Sequence, residues 1–222
     1  MLKPCTVLTW TDSQLITPET SWVLTHRHCY PHYEQLVPTN ALCELDIYLR
    51  LHRYFTEPCG VVDPRFPILA FSYGEGKEVN QLIAEQVIII MLSQPRIQAF
   101  LQWEICDIVL ESQPSFKSRV TSIKFGPNET YMTTKEVALK AIQYTQVRKV
   151  NIVAQLWHAS RCIRQAEECG WRCVSLRGVD AFAPNDPQPW VRHPLSWLLK
   201  ESRYRYTESQ EGSFAVQPGT TV

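Results

Sequence analysis

An imidazole and a guanidinium three residues apart, His158 and Arg161 in the run Leu156-Trp157-His158-Ala159-Ser160-Arg161, form the pair in this sequence best suited to act on a ligand. A neutral imidazole exchanges protons near neutral pH and serves as general acid or base. A guanidinium forks onto the oxygens of a phosphate or carboxylate. At a spacing of three on a helix the two side chains share one face. The competing structural reading is a capping histidine beside a solvated arginine. Thr133-Thr134-Lys135-Glu136 is a second candidate. Its Thr-x-x-Glu spacing is that of a capping box, which occupies Thr133 and Glu136 structurally and leaves the Thr134 hydroxyl for a ligand. Gly74-Glu75-Gly76 is the third, because glycines let backbone amides approach a ligand closely. It is not a G-x-G-x-x-G fingerprint, since Val79 and Asn80 stand where a third glycine is needed. Nor is it a Walker loop, which requires Gly-Lys-Ser/Thr. A tight turn explains it equally well.

The segment His26-Arg27-His28-Cys29-Tyr30-Pro31-His32, with Cys43, His52 and Cys59 nearby, holds imidazole and thiol ligands in close sequence. It lacks both C-x-x-C and a helical histidine pair, so packed or surface histidines are expected and no metal is assigned. The eight cysteines (5, 29, 43, 59, 106, 162, 169 and 173) never form C-x-x-C. Their scatter, without an export signal, leads us to expect reduced thiols that behave as small hydrophobes. Cys162 is close enough to His158 in sequence for a nucleophilic pair, but its helical position favours packing against a sheet. Trp157, Trp171 and Trp190 read as core or rim rather than as a base-stacking platform.

The elements that must hold these groups follow from the hydrophobic pattern. The chain has 222 residues, 45% hydrophobic and 20% charged, with 22 basic and 22 acidic side chains. This is the balance of one globular domain with an elaborated end. It shows none of the basic excess of a nucleic-acid binder. The longest purely apolar run, Val87 to Leu92, is far short of a membrane span, and the first residues do not resemble a cleaved leader. A cytoplasmic location is therefore expected.

Residues 1–66 read as an aromatic-rich elaboration containing one helix, Asn40 to about Phe55. From Pro67 short apolar runs alternate with helical patterns. Strands are expected at 68–73, 97–105, 120–125, 147–156 and 171–176, and helices at about 77–92, 133–146 and 159–169; the apolar residues of 97–105 also suit a helix. Gly170 stands at a C-cap position. A proline-rich loop and a short helix near 195–206 follow, and 207–222 reads as a flexible tail. Strand–helix alternation predicts an α/β domain over 67–206: a three-layer, Rossmann-like arrangement with a mostly parallel sheet of about five strands. Open parallel sheets bind ligands beyond the carboxyl ends of their strands, where helix N-termini favour anions. The three candidates all fall at such junctions.

The stretch from about Val120 to Leu176 resembles the YdcF-like and SanA-like family. That family's pattern is a strand, then Asn-Thr-x-Glu-Asn opening a helix, an apolar strand, His-x-x-Arg opening another helix, and a glycine. Here it reads Ser122-Ile123-Lys124-Phe125, Thr133-Thr134-Lys135-Glu136-Val137, Val150-Asn151-Ile152-Val153-Ala154, His158-Ala159-Ser160-Arg161 and Gly170. The sequence departs from the pattern at Leu101-Gln102-Trp103-Glu104-Ile105, where the family has Ser-Gly-Gly and Ser-Glu-Ala. It also departs at Gly126, in place of an acidic residue, and at Val137. The resemblance implies a Rossmann-like domain, mostly of unassigned activity, with a small-molecule site lined by the first glycine turn, Thr134, Glu136, His158 and Arg161. It also brings S-adenosylmethionine, associated with one branch, into the range of ligands.

The resulting expectation is a protein that binds, and in one version transforms, an anionic small molecule: a nucleotide, a phosphorylated metabolite or S-adenosylmethionine. Gly74, Gly76, Thr134 and Arg161 would bind the ligand, with His158 and Glu136 as acid–base residues. No cofactor is specified, and neither nucleic acid nor membrane is an expected partner. Two alternatives stand beside it: a non-catalytic interaction protein on the same fold, with Glu104, Glu129 and Glu136 turned away from His158, and a metal-dependent hydrolase using His26 to His32.

Overall fold

The computed structural model describes residues 55–126, 132–192 and Trp197. The helix expected at 40–55 (apart from Phe55), the His26–His32 segment, Glu129, the helix near 195–206 (apart from Trp197) and the tail lie outside the described residues.

Five strands form one parallel sheet: β1 (Ile68–Ala70), β2 (Ala99–Gln102), β3 (Val120–Ile123), β4 (Lys149–Gln155) and β5 (Arg172–Val179). Their spatial order is β3-β2-β1-β4-β5, and every pairing is parallel. The helices are α1 (Lys77–Ser93), α2 (Trp103–Ser112), α3 (Thr134–Ala141) and α4 (Ala159–Glu168). A parallel sheet needs a crossover between successive strands, and the crossover helices cover both faces. One hydrophobic cluster joins Ile68, Ala70, Ala99, Leu101 and Val153 to Val79, Ile83, Val87 and Met91 of α1 and to Ile105 and Val109 of α2. The other joins Leu69, Phe100, Ile152 and Ala154 to Val137, Ala138 and Ala141 of α3 and to Ala159, Cys162 and Ala166 of α4. Neighbouring strand residues thus go to opposite layers, as the two-residue period of a strand requires. This is the three-layer α/β domain that the strand–helix alternation predicts.

Several boundaries differ from expectation, and two of them shape the site. The run 97–105 is not one strand. β2 ends at Gln102, and α2 begins at Trp103 with no intervening loop. Ile105, Cys106, Ile108 and Val109 are buried at helical spacing, so a helix that β-branched content disguised as strand occupies 103–112. β1 is also shorter than 68–73, leaving Ser72 and Tyr73 beyond the sheet edge.

The amino ends of the strands are fastened by one buried amide. Asn151 donates to the carbonyls of Asp63 (3.0 Å) and Phe66 (2.8 Å). Its Oδ1 accepts from the Asp63 N–H (3.0 Å) and the Ser175 hydroxyl (2.7 Å). The segment before β1 is thereby tied to β4 and β5. It continues along the outer strand, where Cys59 forms an antiparallel bridge to Leu176 and covers part of an exposed edge. Replacing Asn151 by alanine strands these groups and should cost about 2–4 kcal/mol. A urea unfolding midpoint that does not move would contradict this account of the network.

Candidate functional site

With β1 central, the chain leaves it through α1 on one face and reaches β4 from α3 on the other. This reversal opens a crevice at the carboxyl ends of β1 and β4. A cavity of about 490 Å³ lies there, lined from four strand ends and from the segment after β5. Its size is that of a small-molecule site, about 300–1,000 Å³.

The β4 end is built most tightly. Gln155 is fully buried, and its side-chain oxygen accepts from the His158 backbone N–H (2.9 Å) while its Nε2 donates to the Ala181 carbonyl (3.1 Å). Trp157 donates from Nε1 to Asp180 (2.8 Å), and Trp197 donates to the Trp157 carbonyl (2.9 Å). These bonds hold a turn that delivers His158 to the N-cap of α4, where its side chain makes no capping bond. The ring instead meets two polar groups. Arg161 Nη2 lies 2.9 Å from Nε2, and Thr134 Oγ1 lies 3.2 Å from the same atom. A guanidinium has donors only, so Nε2 presents its lone pair and the ring proton resides on Nδ1. Trp197 packs edge-on to the imidazole at 5.2 Å, and the Arg161 guanidinium lies over the Trp197 ring at 5.0 Å.

The β1 end supplies Ser72, Tyr73, Gly74 and Glu75. Asn80, from the first turn of α1, accepts from the Tyr73 N–H (2.8 Å) and donates to the Gly76 carbonyl (2.9 Å), closing the turn. Gly74 adopts φ +80°, a left-handed conformation that suits glycine. α1 has no side-chain cap from its own sequence. The buried Asp186 carboxylate serves instead, accepting from the N–H groups of Gly76 (2.6 Å) and Glu75 (3.4 Å).

The β2 end contributes Gln102, Trp103 and Glu104. Gln102 accepts from the Ser72 N–H (3.1 Å), joining this strand end to the β1 turn. Glu104 stands in the first turn of α2, with Oε2 buried and without a hydrogen-bond partner. Burial pushes its carboxyl up to about 7, and nearby Asp107 adds to the rise. Hydrogen bonds with its own backbone N–H, Ser72 and Gln102 only partly offset this. A group of that character exchanges protons at neutral pH.

His158, Arg161, Thr134 and Gly74 therefore converge on one cavity. Gly76 is not among the lining residues, and its N–H is taken by Asp186. Glu136 corrects the expectation of an acid–base partner for His158. Its carboxylate accepts from the Thr133 N–H (2.6 Å), while the Thr133 hydroxyl accepts from the Glu136 N–H (3.2 Å), completing the capping box at an exposed position. Glu104 is the carboxyl that shares the cavity. Reading 97–105 as a continuous strand hid it, because a helix starting at Trp103 is what aims position 104 at the sheet edge. Tyr73, Trp190 and Trp197 carried no local signal for the site. Cys162 is fully buried in the second cluster, and burial pushes the thiols of Cys106, Cys169 and Cys173 up, the last to about 12. Such thiols stay protonated and unreactive.

Comparison of the chain with protein-family models, curated proteins and solved structures gives no match.

Glu104 makes stability depend on pH. A carboxyl raised in the folded state keeps a proton that the unfolded chain has already released. Its stabilising contribution is complete below about 4.5 and is lost as pH rises toward 7. Glu104→Gln removes the ionisation, so the variant should gain on the order of 2 kcal/mol over the parent between pH 5 and pH 8. Parallel stability curves for the two proteins across this range would refute the assignment.

Proposed function

We propose that the chain binds an anionic small molecule in the crevice between β1 and β4, with Arg161 as the anion-holding group. A nucleotide or phosphorylated metabolite, or S-adenosylmethionine through its carboxylate, is the ligand class. The observation that carries this reading is the convergence of Arg161, His158 and Thr134 on a single cavity of ligand size at the carboxyl edge of the sheet. In the structure the guanidinium rests against Nε2 and Trp197. A phosphate or carboxylate offers it a charge-assisted, bidentate alternative.

An anion drawn in this way takes over the guanidinium N–H that Nε2 accepts and lies within reach of the Thr134 hydroxyl as a second donor. Glu104, on the other side of the crevice, donates while protonated and accepts once ionised. This pairing of an imidazole with a carboxyl of raised pKa supports acid–base work on the bound molecule. The resemblance of residues 120–176 to YdcF-like proteins belongs to the same proposal, as does a cytoplasmic place of action. The free state of all five cysteines among the described residues supports the latter. Among those residues no helix is long and apolar enough to cross a membrane.

Thermal shift measurements with inorganic phosphate, AMP and S-adenosylmethionine test the reading. A ligand at a hundredfold its Kd stabilises by about 2.7 kcal/mol, which raises Tm by about 5–10 °C in a domain of this size. Arg161→Ala should lose most of that shift. The proposal fails if no compound shifts the parent protein, or if the variant responds equally.

A further inference from the structure

The glycine turn after β1 is where this fold class seats a ligand's phosphate, on backbone N–H groups at the start of the first helix. In this chain the seat holds one of the protein's own carboxylates. Asp186 is 2% exposed. Its Oδ2 accepts from the Gly76 N–H at 2.6 Å, and its Oδ1 accepts from the Gln188 N–H at 2.8 Å and, more weakly, from the Glu75 N–H at 3.4 Å. Arg192 donates to the Asp186 carbonyl at 2.6 Å, and Gln188 donates to the Glu75 carboxylate at 2.9 Å. The segment carrying Asp186 is thus strapped across the turn.

The two glycines fit this internal anion closely. A Cβ on Gly74 would stand 2.4 Å from Asp186 Oδ2, and one on Gly76 would stand 2.8 Å from the same atom. Their lack of side chains makes room for the strap. The charge layout of the crevice follows: Glu75 lines the β1 lip and Arg161 the β4 lip, while Asp186, buried behind the turn, occupies the N–H groups there. An elongated ligand with phosphates at both lips would bring its second phosphate against the Glu75 carboxylate and against N–H groups already taken.

We infer that Asp186 is a built-in occupant of the phosphate seat, which denies the cavity a second anion site and so gives pyrophosphate-bridged ligands no advantage over ligands with a single anionic end. The selectivity, though not the occupancy, rests on the proposed anion role of Arg161. The ligand's anion is held at α4, and the rest of the molecule points toward Glu104 and the aromatic wall. Asp186 is accordingly a specificity-determining residue.

Titration of the full-length, 15N-labelled protein with inorganic phosphate and with pyrophosphate, read at the Gly76 amide and the Arg161 side chain, tests this. In the parent both anions should move Arg161, with affinities within about threefold of each other, and leave Gly76 in place. In Asp186→Ala the Gly76 amide should become responsive, and pyrophosphate should gain tenfold or more over phosphate. Should that variant not fold, the parent alone decides: a Gly76 response to pyrophosphate, or a tenfold preference for it, overturns the inference. A folded Asp186→Ala protein without the new preference also overturns it. If neither anion moves Arg161 in the parent, the anion role of Arg161 falls, and the Gly76 response in Asp186→Ala still decides what fills the seat.

Discussion

Because β1 pairs in parallel with β2 on one side and β4 on the other, the chain must leave β1 across one face of the sheet and return to β4 across the opposite face. Parallel pairing permits no short hairpin, so each link carries a helix, and α1 and α4 start soon after the carboxyl ends of β1 and β4. The starts of α1 and α4 consequently diverge, and the gap between them is the cavity. Each side chain that lines it from a strand end is held where the backbone turns from sheet to helix.

Those turns are reinforced by buried polar side chains whose partners are mainly backbone groups. Asn80 closes the β1 turn, Gln102 joins it to β2, and Gln155 fixes the β4 turn. A buried amide left unpaired is costly, so each of these residues specifies one geometry as well as adding stability. The result is a site whose framework is fixed while His158 and Arg161 are partnered with each other, through the bond that Arg161 Nη2 donates to His158 Nε2, and Glu104 keeps one buried oxygen without a hydrogen-bond partner.

Electrostatically the crevice has two unlike lips. At the β4 side a guanidinium is held against an aromatic ring and an imidazole; at the β1 side stands the Glu75 carboxylate. The helix-start N–H groups that usually attract a ligand's anion are neutralised internally by Asp186. Glu104 stands at the β2 end, beside the β1 turn, and its burial there explains its affinity for a proton at neutral pH. A family pattern that has glycines, a threonine and His-x-x-Arg in order does not by itself convey this polarity.

The residues of this protein determine a good deal locally. Apolar runs such as Ile68-Leu69-Ala70 and Val150 to Ala154 already imply doubly covered parallel strands, and Thr133-x-x-Glu136 already states its capping box. Position then follows: His158 and Arg161 must stand at a sheet edge because a buried strand ends just before them. Local pattern failed at Trp103, where a strand passes into a helix without a break residue, so Glu104 was assigned to the wrong element. Only tertiary structure could decide what meets at the edge. Asp186 reaches the Gly76 amide across 110 positions of sequence, and Trp197 covers His158 from a segment beyond the last strand. Periodicity records which face of an element is buried, since burial repeats with the backbone. It holds no record of which distant side chain fills the space in front of a turn, because that depends on how separate elements pack together.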